Sequence, residues 1–377
     1  MARQHEVVAR FAPPPGDFAA KGVTILRGDA RFEDPNTLRV ETAGTRSTVR
    51  APRILIAAGS APVIPDVEGA ALGITSDELL FLPEFPHRLV LVGAGAIGLE
   101  MAGAFSDLGA AVDVIVQEPE ILSQFDADVG AYLRAILEAR GVTFHRSATL
   151  TSLSGSAGAV VARFTSGSVV RELAPAVVCL AVGRRWTPAM LGAEALGFEL
   201  TPRGLRTDAF LRTSVPGIYA AGDAAGNRQL TPTAAYEGRT AATNALRGDT
   251  VQSDVSVVPQ TVFTTPEVAV VGLTHAEARR RGLPCHFATH DMRGSSNGVV
   301  SGEDDGFLKL VFEDGTERLL GVQVVSYAAA ELIQLATLAV RSGITASALT
   351  AQLSVHPSHT ERFIKIASHD YHEVCEL

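Results

Sequence analysis

Leu89-Val90-Leu91-Val92 is an unbroken apolar run that leads straight into Gly93-Ala94-Gly95-Ala96-Ile97-Gly98. A continuous apolar run marks a strand buried on both faces, as in a parallel sheet. Leu99, Met101, Ala102 and Phe105 then recur at helical spacing, Gly109 stops the helix, and Val112 to Val116 reads as a second strand. A GxGxxG segment inside a strand–helix–strand unit of roughly 30 residues is the context that dinucleotide binding needs. Gly93 makes the tight turn, Gly95 lets backbone amides approach a pyrophosphate, and Gly98 lets the helix pack on the strand. The helix N-terminus favours the anion. A glycine-rich turn without a ligand is the plain alternative, and the surrounding pattern weighs against it.

The end of the second strand selects the nucleotide. An acid there accepts the ribose hydroxyls of NAD, whereas an arginine accommodates the extra phosphate of NADP. The run is Val116-Gln117-Glu118-Pro119-Glu120, with no further Arg or Lys until Arg134. This predicts NAD, with NADP the weaker candidate and Glu118 as the ribose ligand. Glu118 stands two positions later than usual, and a solvated loop charge is its bland reading.

At 377 residues the chain is long enough for two or three domains. With 46% hydrophobic and 19% charged residues it can bury a sizeable core. A net charge of -9 argues against a nucleic-acid surface. No apolar run reaches the ~18–20 residues that span a bilayer, and the start lacks a signal peptide's apolar centre. The expectation is a cytoplasmic protein with no membrane or nucleic-acid partner. Cys179, Cys285 and Cys375 are far apart, so no CxxC pair and no disulfide framework is formed. Strand-like and helix-like runs alternate, with Gly and Pro as punctuation, the pattern of an α/β architecture. Residues 2–11 read as helix, VTILRG (23–28), TLRVET and RILIAAG as β-type runs, and SGSAG (154–158) as a flexible loop between short strands. Domain boundaries fall near residues 70, 198 and 257.

Five stretches in order resemble the pyridine nucleotide-disulfide oxidoreductases, particularly the mercuric reductase and dihydrolipoamide dehydrogenase group. They are Ile54 to Pro62 (ILIAAGSAP), Gly93 to Glu100 (GAGAIGLE) and Ala181 to Arg185 (AVGRR). They continue with Ser214 to Ala224 (SVPGIYAAGDA) joined to Tyr236 to Ala245, and the segments from Val262 through His356 to Glu361 (HPSHTE). The resemblance implies a Rossmann-type nicotinamide domain (71–197) inserted in a partial FAD-binding domain (1–70 and 198–257), followed by an α+β dimerisation domain (258–377). It implies FAD and NAD as cofactors, a homodimer, and electron transfer from nicotinamide to flavin and on to an unidentified small-molecule acceptor. Ala58 and Gly59 stand where the family usually has Thr-Gly. Gly183, Gly222 and Asp223 join the cofactor-binding set, Glu100 lies beside the hydride path, and His356 with Glu361 forms the acid–base pair. A His near neutrality suits proton transfer, and a carboxylate orients its ring. Taken alone, Asp223 is an ordinary turn residue and His356 a turn residue before proline.

The sequence departs from the family in two ways. Nothing before residue 93 fits the FAD-binding GxGxxG, and the redox-active CxxxxC is missing. Cys179 reads as a buried inert thiol, Cys285 as a loop residue and Cys375 as solitary. Without relay thiols a quinone, dye or oxygen acceptor is favoured over a disulfide. The alternatives are a dimer that binds NAD(H) without redox turnover, and a polypeptide that continues upstream of Met1. A metal site among His356, His359, His369, His372 and Cys375 matches no zinc spacing, and His286 and His290 would share one strand face. No metal is expected.

Overall fold

The computed structural model describes residues 2–11, 18–156, 158–303 and 305–368, and these form two compact units. His369, His372 and Cys375 lie outside the described residues. The first unit holds residues 1–63, 80–84 and 184–255; the second holds 64–79, 85–183 and 256–377.

In the first unit, Asp29–Asp34, Thr37–Thr42 and Thr45–Arg50 make an antiparallel three-stranded meander. Ile54–Ile56 pairs in parallel with Ile218–Ala220, and Ala61–Pro62 pairs antiparallel with Arg184–Arg185. Phe32, Ile56, Trp186, Leu205, Ile218 and Ala220 fill its core. The helix Thr231–Arg247 carries Pro232 in its first turn, where no backbone N–H is needed. Residues 2–11 are helical as expected, but residues 23–28 form no strand. A β-type run becomes a strand only where a neighbour takes its backbone bonds. Here Val23, Ile25 and Leu26 stay about half exposed.

The second unit contains a fully parallel five-stranded sheet. Its order is Ile74–Thr75, Val177–Leu180, Arg88–Val92, Ala111–Ile115 and Thr143–His145. Leu89, Val90 and Leu91 are buried, as their unbroken apolar run requires. Successive strands run outward from Arg88–Val92, and Val177–Leu180 returns to its other side. That reversal puts a switch point at the C-terminal end of Arg88–Val92, where α/β sheets bind ligands. The glycine-rich turn lies there.

Ala148–Ser156, Ala159–Ser166 and Val169–Leu173 form an antiparallel three-stranded sheet. SGSAG is therefore a hairpin end: Gly155 faces Val160 and Ser156 faces Ala159. A Cβ on Gly155 would fall 2.2 Å from the Ala159 carbonyl oxygen, so glycine is what lets the strands pair there. Residue 157, inside that segment, lies outside the described residues. The third sheet is antiparallel, ordered Gln260–Val262, Glu267–Gly272, Leu319–Ser326, Phe307–Glu313, Cys285–Asp291. The helix Ala329–Arg341 buries Leu332, Ile333 and Ala336 in the same core cluster as Leu310 and Val324 of this sheet. Cys285 opens a strand of this sheet rather than lying in a loop.

Two tests address this core. A Cβ on Gly98 would sit 2.1 Å from the Gly93 carbonyl oxygen. Gly98→Ala should therefore destabilise the chain by about 1–3 kcal/mol in chemical denaturation. Asp126 is the second. Burial pushes its carboxyl up, but the Ala276 amide, Lys309 and Gln323 outweigh this and hold it below its ordinary value. Its folded value thus lies below the unfolded one, near pH 4, so its contribution is present above that pH and lost as pH falls through the folded value. The stability gap between wild type and Asp126→Asn should shrink on acidification from about pH 6 to 2.

Candidate functional site

The glycine-rich turn opens the helix Ala96–Asp107, whose N-cap is Gly95. Gly93 has φ +108°, and a Cβ there would lie 2.5 Å from the Ala181 carbonyl oxygen. Gly93 and Gly98 are thus held by close backbone approach. Gly95 differs, because a Cβ built on it meets nothing within 4 Å. The space above the helix N-terminus is open, with unpaired first-turn amides facing it. Gly183, φ +122°, closes the neighbouring strand end and is equally open. This geometry fits a dinucleotide pyrophosphate.

Val116, at the end of the Ala111–Ile115 strand, is buried and apolar. Glu118 is exposed on the following loop, and its carbonyl accepts from the Ser147 amide at 3.1 Å. Glu120 is better fixed. Its carboxylate takes Arg134 Nε at 2.9 Å, Arg146 at 3.4 Å and the Ile121 amide at 3.0 Å. Burial raises the Glu120 carboxyl, but these partners outweigh it and lower it overall. Sequence distance hid Arg146, which the adjacent strand Thr143–His145 brings to this loop, where it also donates to the Pro119 carbonyl at 2.9 Å.

Glu100 lies in the first turns of the same helix, half-buried, and accepts the Phe263 amide at 2.9 Å. Burial pushes its carboxyl up against that bond. His356 and Glu361 are brought together: His356 Nδ1 lies 2.9 Å from Glu361 Oε2. The Glu361 side chain is 2% exposed and that of His356 63%. Hydrogen bonds from His356 and from Lys365, the latter at 3.1 Å, hold the Glu361 carboxyl low. With Nδ1 engaged, the ring's Nε2 is the atom left for a proton.

In the first unit, the Ile218–Ala220 strand feeds Gly222 and Asp223 into a short 3₁₀ turn. Ser60 Oγ donates to Asp223 Oδ2 at 2.6 Å. Arg184 donates from Nε to Ser60 Oγ at 3.2 Å and from its terminal nitrogen to the Ser60 carbonyl at 2.8 Å. Ser60 thus receives from a cation and passes its own proton toward a carboxylate, which fixes the Asp223 rotamer. Ala58 is exposed; Gly59 has φ +68° with open space beyond it. Glu237, fully buried, accepts the Gly222 amide at 2.8 Å and Asn227 at 3.0 Å. Neither Ser60, Arg184 nor Glu237 was singled out from sequence, because each acts through a partner distant along the chain or through a backbone amide.

The Asp223 end fits sugar or ribityl hydroxyls, which a fixed carboxylate accepts well. These 377 residues hold one GxGxxG, however, so they supply one pyrophosphate turn for the two dinucleotides. Cys179 is buried, and burial pushes its thiol up to about 12. Burial also raises Cys285. His286 bonds Asp314 at 2.7 Å and His290 faces Arg362 at 3.4 Å. Among the described residues no group of three or more His, Cys, Asp or Glu could hold a metal ion, and no helix is long and apolar enough to cross a membrane.

Comparison with known proteins agrees with this geometry. Residues 15–238 match the pyridine nucleotide-disulphide oxidoreductase family and residues 258–367 its dimerisation domain. The chain is 33% identical over 350 residues to a glutathione reductase of Burkholderia cepacia, covering 91% of this chain and 75% of that one. It is 31% identical to the dihydrolipoyl dehydrogenase of Bacillus subtilis (89% and 72% covered). With a mercuric reductase of Shewanella putrefaciens it shares 33% identity (88% and 59% covered). The HOCl-induced flavoprotein disulfide reductase RclA of Escherichia coli superposes with a TM-score of 0.84 at 27% identity, over 93% of this chain and 80% of that one. The chain belongs to the pyridine nucleotide-disulphide oxidoreductase family, FAD-dependent oxidoreductases with NAD(P)H as electron donor.

Proposed function

We propose that the chain binds NADH at Gly93–Gly98 and serves as the nicotinamide-linked part of an oxidoreductase that passes electrons through flavin to a small-molecule acceptor. The observation that carries the reading is the open Gly95 between two glycines locked by backbone contact. In the family, NAD(P)H supplies the hydride and FAD receives it. This chain's residues bind and orient: the turn offers amides to a pyrophosphate, Glu100 stands on the turn's helix, and Asp223 awaits a hydroxyl. His356, backed by buried Glu361, holds a proton at Nδ1 and offers Nε2 as a base. The likeness of residues 258–367 to a dimerisation domain supports a homodimer. The boundaries near residues 70, 198 and 257 are part of the same reading, as is a cytoplasmic location.

The purified chain's visible spectrum before and after anaerobic NADH tests the redox half. A flavin band bleached by NADH supports turnover; a colourless protein that still binds NADH favours the second reading, nucleotide binding without turnover. That alternative is favoured by the single pyrophosphate turn.

Gly95→Asp places a carboxylate in the open space and should abolish NADH binding measured by fluorescence titration. Affinity unchanged by that substitution would remove the site assignment.

The loop also discriminates. Arg134 is shared by Glu120 and Glu138 and Arg146 is taken by Glu120, so two carboxylates match the two guanidiniums and the outward charge left is that of Glu118. NADPH should bind about tenfold or more weakly than NADH, a penalty of about 1.4 kcal/mol from like-charge contact. Glu118→Arg should narrow the gap, and equal wild-type affinities would refute the preference.

A further inference from the structure

A deeply buried ionic cluster of the second unit lies outside the glycine turn. The Lys309 side chain is 4% exposed, and its Nζ lies 3.0 Å from Asp126 Oδ2 and 2.8 Å from Asp128 Oδ2. The same ammonium sits 4.3 Å from the Phe287 ring centroid, a cation–π contact. Gln323 donates to Asp126 Oδ2 at 2.6 Å and accepts the Asp126 amide at 2.8 Å. The amides of His275 and Ala276 each donate to the Asp126 carboxylate at 3.0 Å. A buried ion pair is weak evidence for stability in itself, because apolar replacements often do as well. What it holds in place is more telling.

Asp126 ends the loop that leaves the Ala111–Ile115 strand and carries Glu118 and Glu120. Within that loop Leu122 adopts φ +52°, a left-handed conformation that a branched apolar residue avoids. Such a residue persists only where its surroundings over-determine it. The Leu122 amide donates to the Ala94 carbonyl, inside the glycine turn, at 3.2 Å, and its carbonyl accepts the Phe125 amide at 2.7 Å. The loop is therefore fastened at one point to the glycine turn and at the other, through Asp126, to the Phe307–Glu313 and Leu319–Ser326 strands.

We propose that Lys309 is a positioning residue for the adenosine side of the nicotinamide nucleotide. Through Asp126 it keeps the Glu118–Leu122 loop in the one shape that fits against the glycine turn. The inference rests on the reading of Gly93–Gly98 as the nucleotide site. Lys309 touches no nucleotide, and its effect passes through Asp126, the loop and Leu122.

The test is calorimetric titration of ADP-ribose into the full chain, which probes the adenosine side alone. Lys309→Met should weaken ADP-ribose about tenfold or more, and Lys309→Arg should recover most of that loss. Val324→Ala, in the core beside Gln323 but on the other face of its strand, is the control for stability alone. It should lower the melting temperature and leave ADP-ribose affinity as in wild type. Should Lys309→Met not fold, Asp126→Asn/Lys309→Met leaves no unpaired buried charge and should show the same loss. Binding within twofold of wild type in the Lys309 variant that folds, or equal weakening by Val324→Ala, overturns the proposal. A wild-type chain that ignores ADP-ribose instead overturns the nucleotide site and the proposal with it.

Discussion

Close backbone approach at the switch point governs what the second unit can be. Gly98 lets the helix reach the carbonyl of Gly93, and Gly93 in turn lies against the carbonyl of Ala181. Any side chain at either position would separate helix from strand or strand from neighbour. With both contacts made, the helix N-terminus is delivered to the end of the sheet with its amides unpaired. The open space at the helix N-terminus is thus a consequence of packing, and Gly95 is left open because it takes no part in that packing.

The loop beyond the neighbouring strand shows a second kind of control, by charge. Glu120 pairs with Arg134 and Arg146, and Arg134 also pairs with Glu138, so two carboxylates match two guanidiniums. Asp126 gathers Lys309, Gln323 and two helix amides. Each buried or half-buried charge has its partners, which is the condition under which burial is tolerated. The loop's shape follows from where those partners are anchored. Two of them, Lys309 and Gln323, come from adjacent strands of the antiparallel sheet.

The parallel strand, the glycine turn and its helix were legible in the sequence, whereas the His356–Glu361 pairing came only with the family resemblance. The first three are local: an apolar run, a fixed glycine spacing and a helical stripe. The same locality misled at residues 23–28, where β-type side chains found no strand to pair with. Arg146 escaped because nothing within the Val116–Glu120 segment reveals which strand will lie beside it. Ser60 and Arg184 escaped for the same reason, since the contact with Asp223 spans 163 residues. Lys309 had no signal at all beyond being one of three lysines, because a polar residue in a buried strand announces a partner without naming it.

Thiol chemistry can be weighed from the two cysteines the structure describes. A thiol acts in exchange as its thiolate, and it must be reachable. Cys179 is buried among Val178, Leu180 and the parallel sheet, with its thiol pushed up to about 12, so at neutral pH it carries its proton and reaches nothing. Cys285 is part-buried at the start of an edge strand, where desolvation and the charge of Asp314 both disfavour the thiolate. Both are free thiols. Neither thiol is therefore set up for exchange as its thiolate. His356 and Glu361 are nonetheless joined, Nδ1 to Oε2 at 2.9 Å, in a chain whose two described cysteines both disfavour the thiolate.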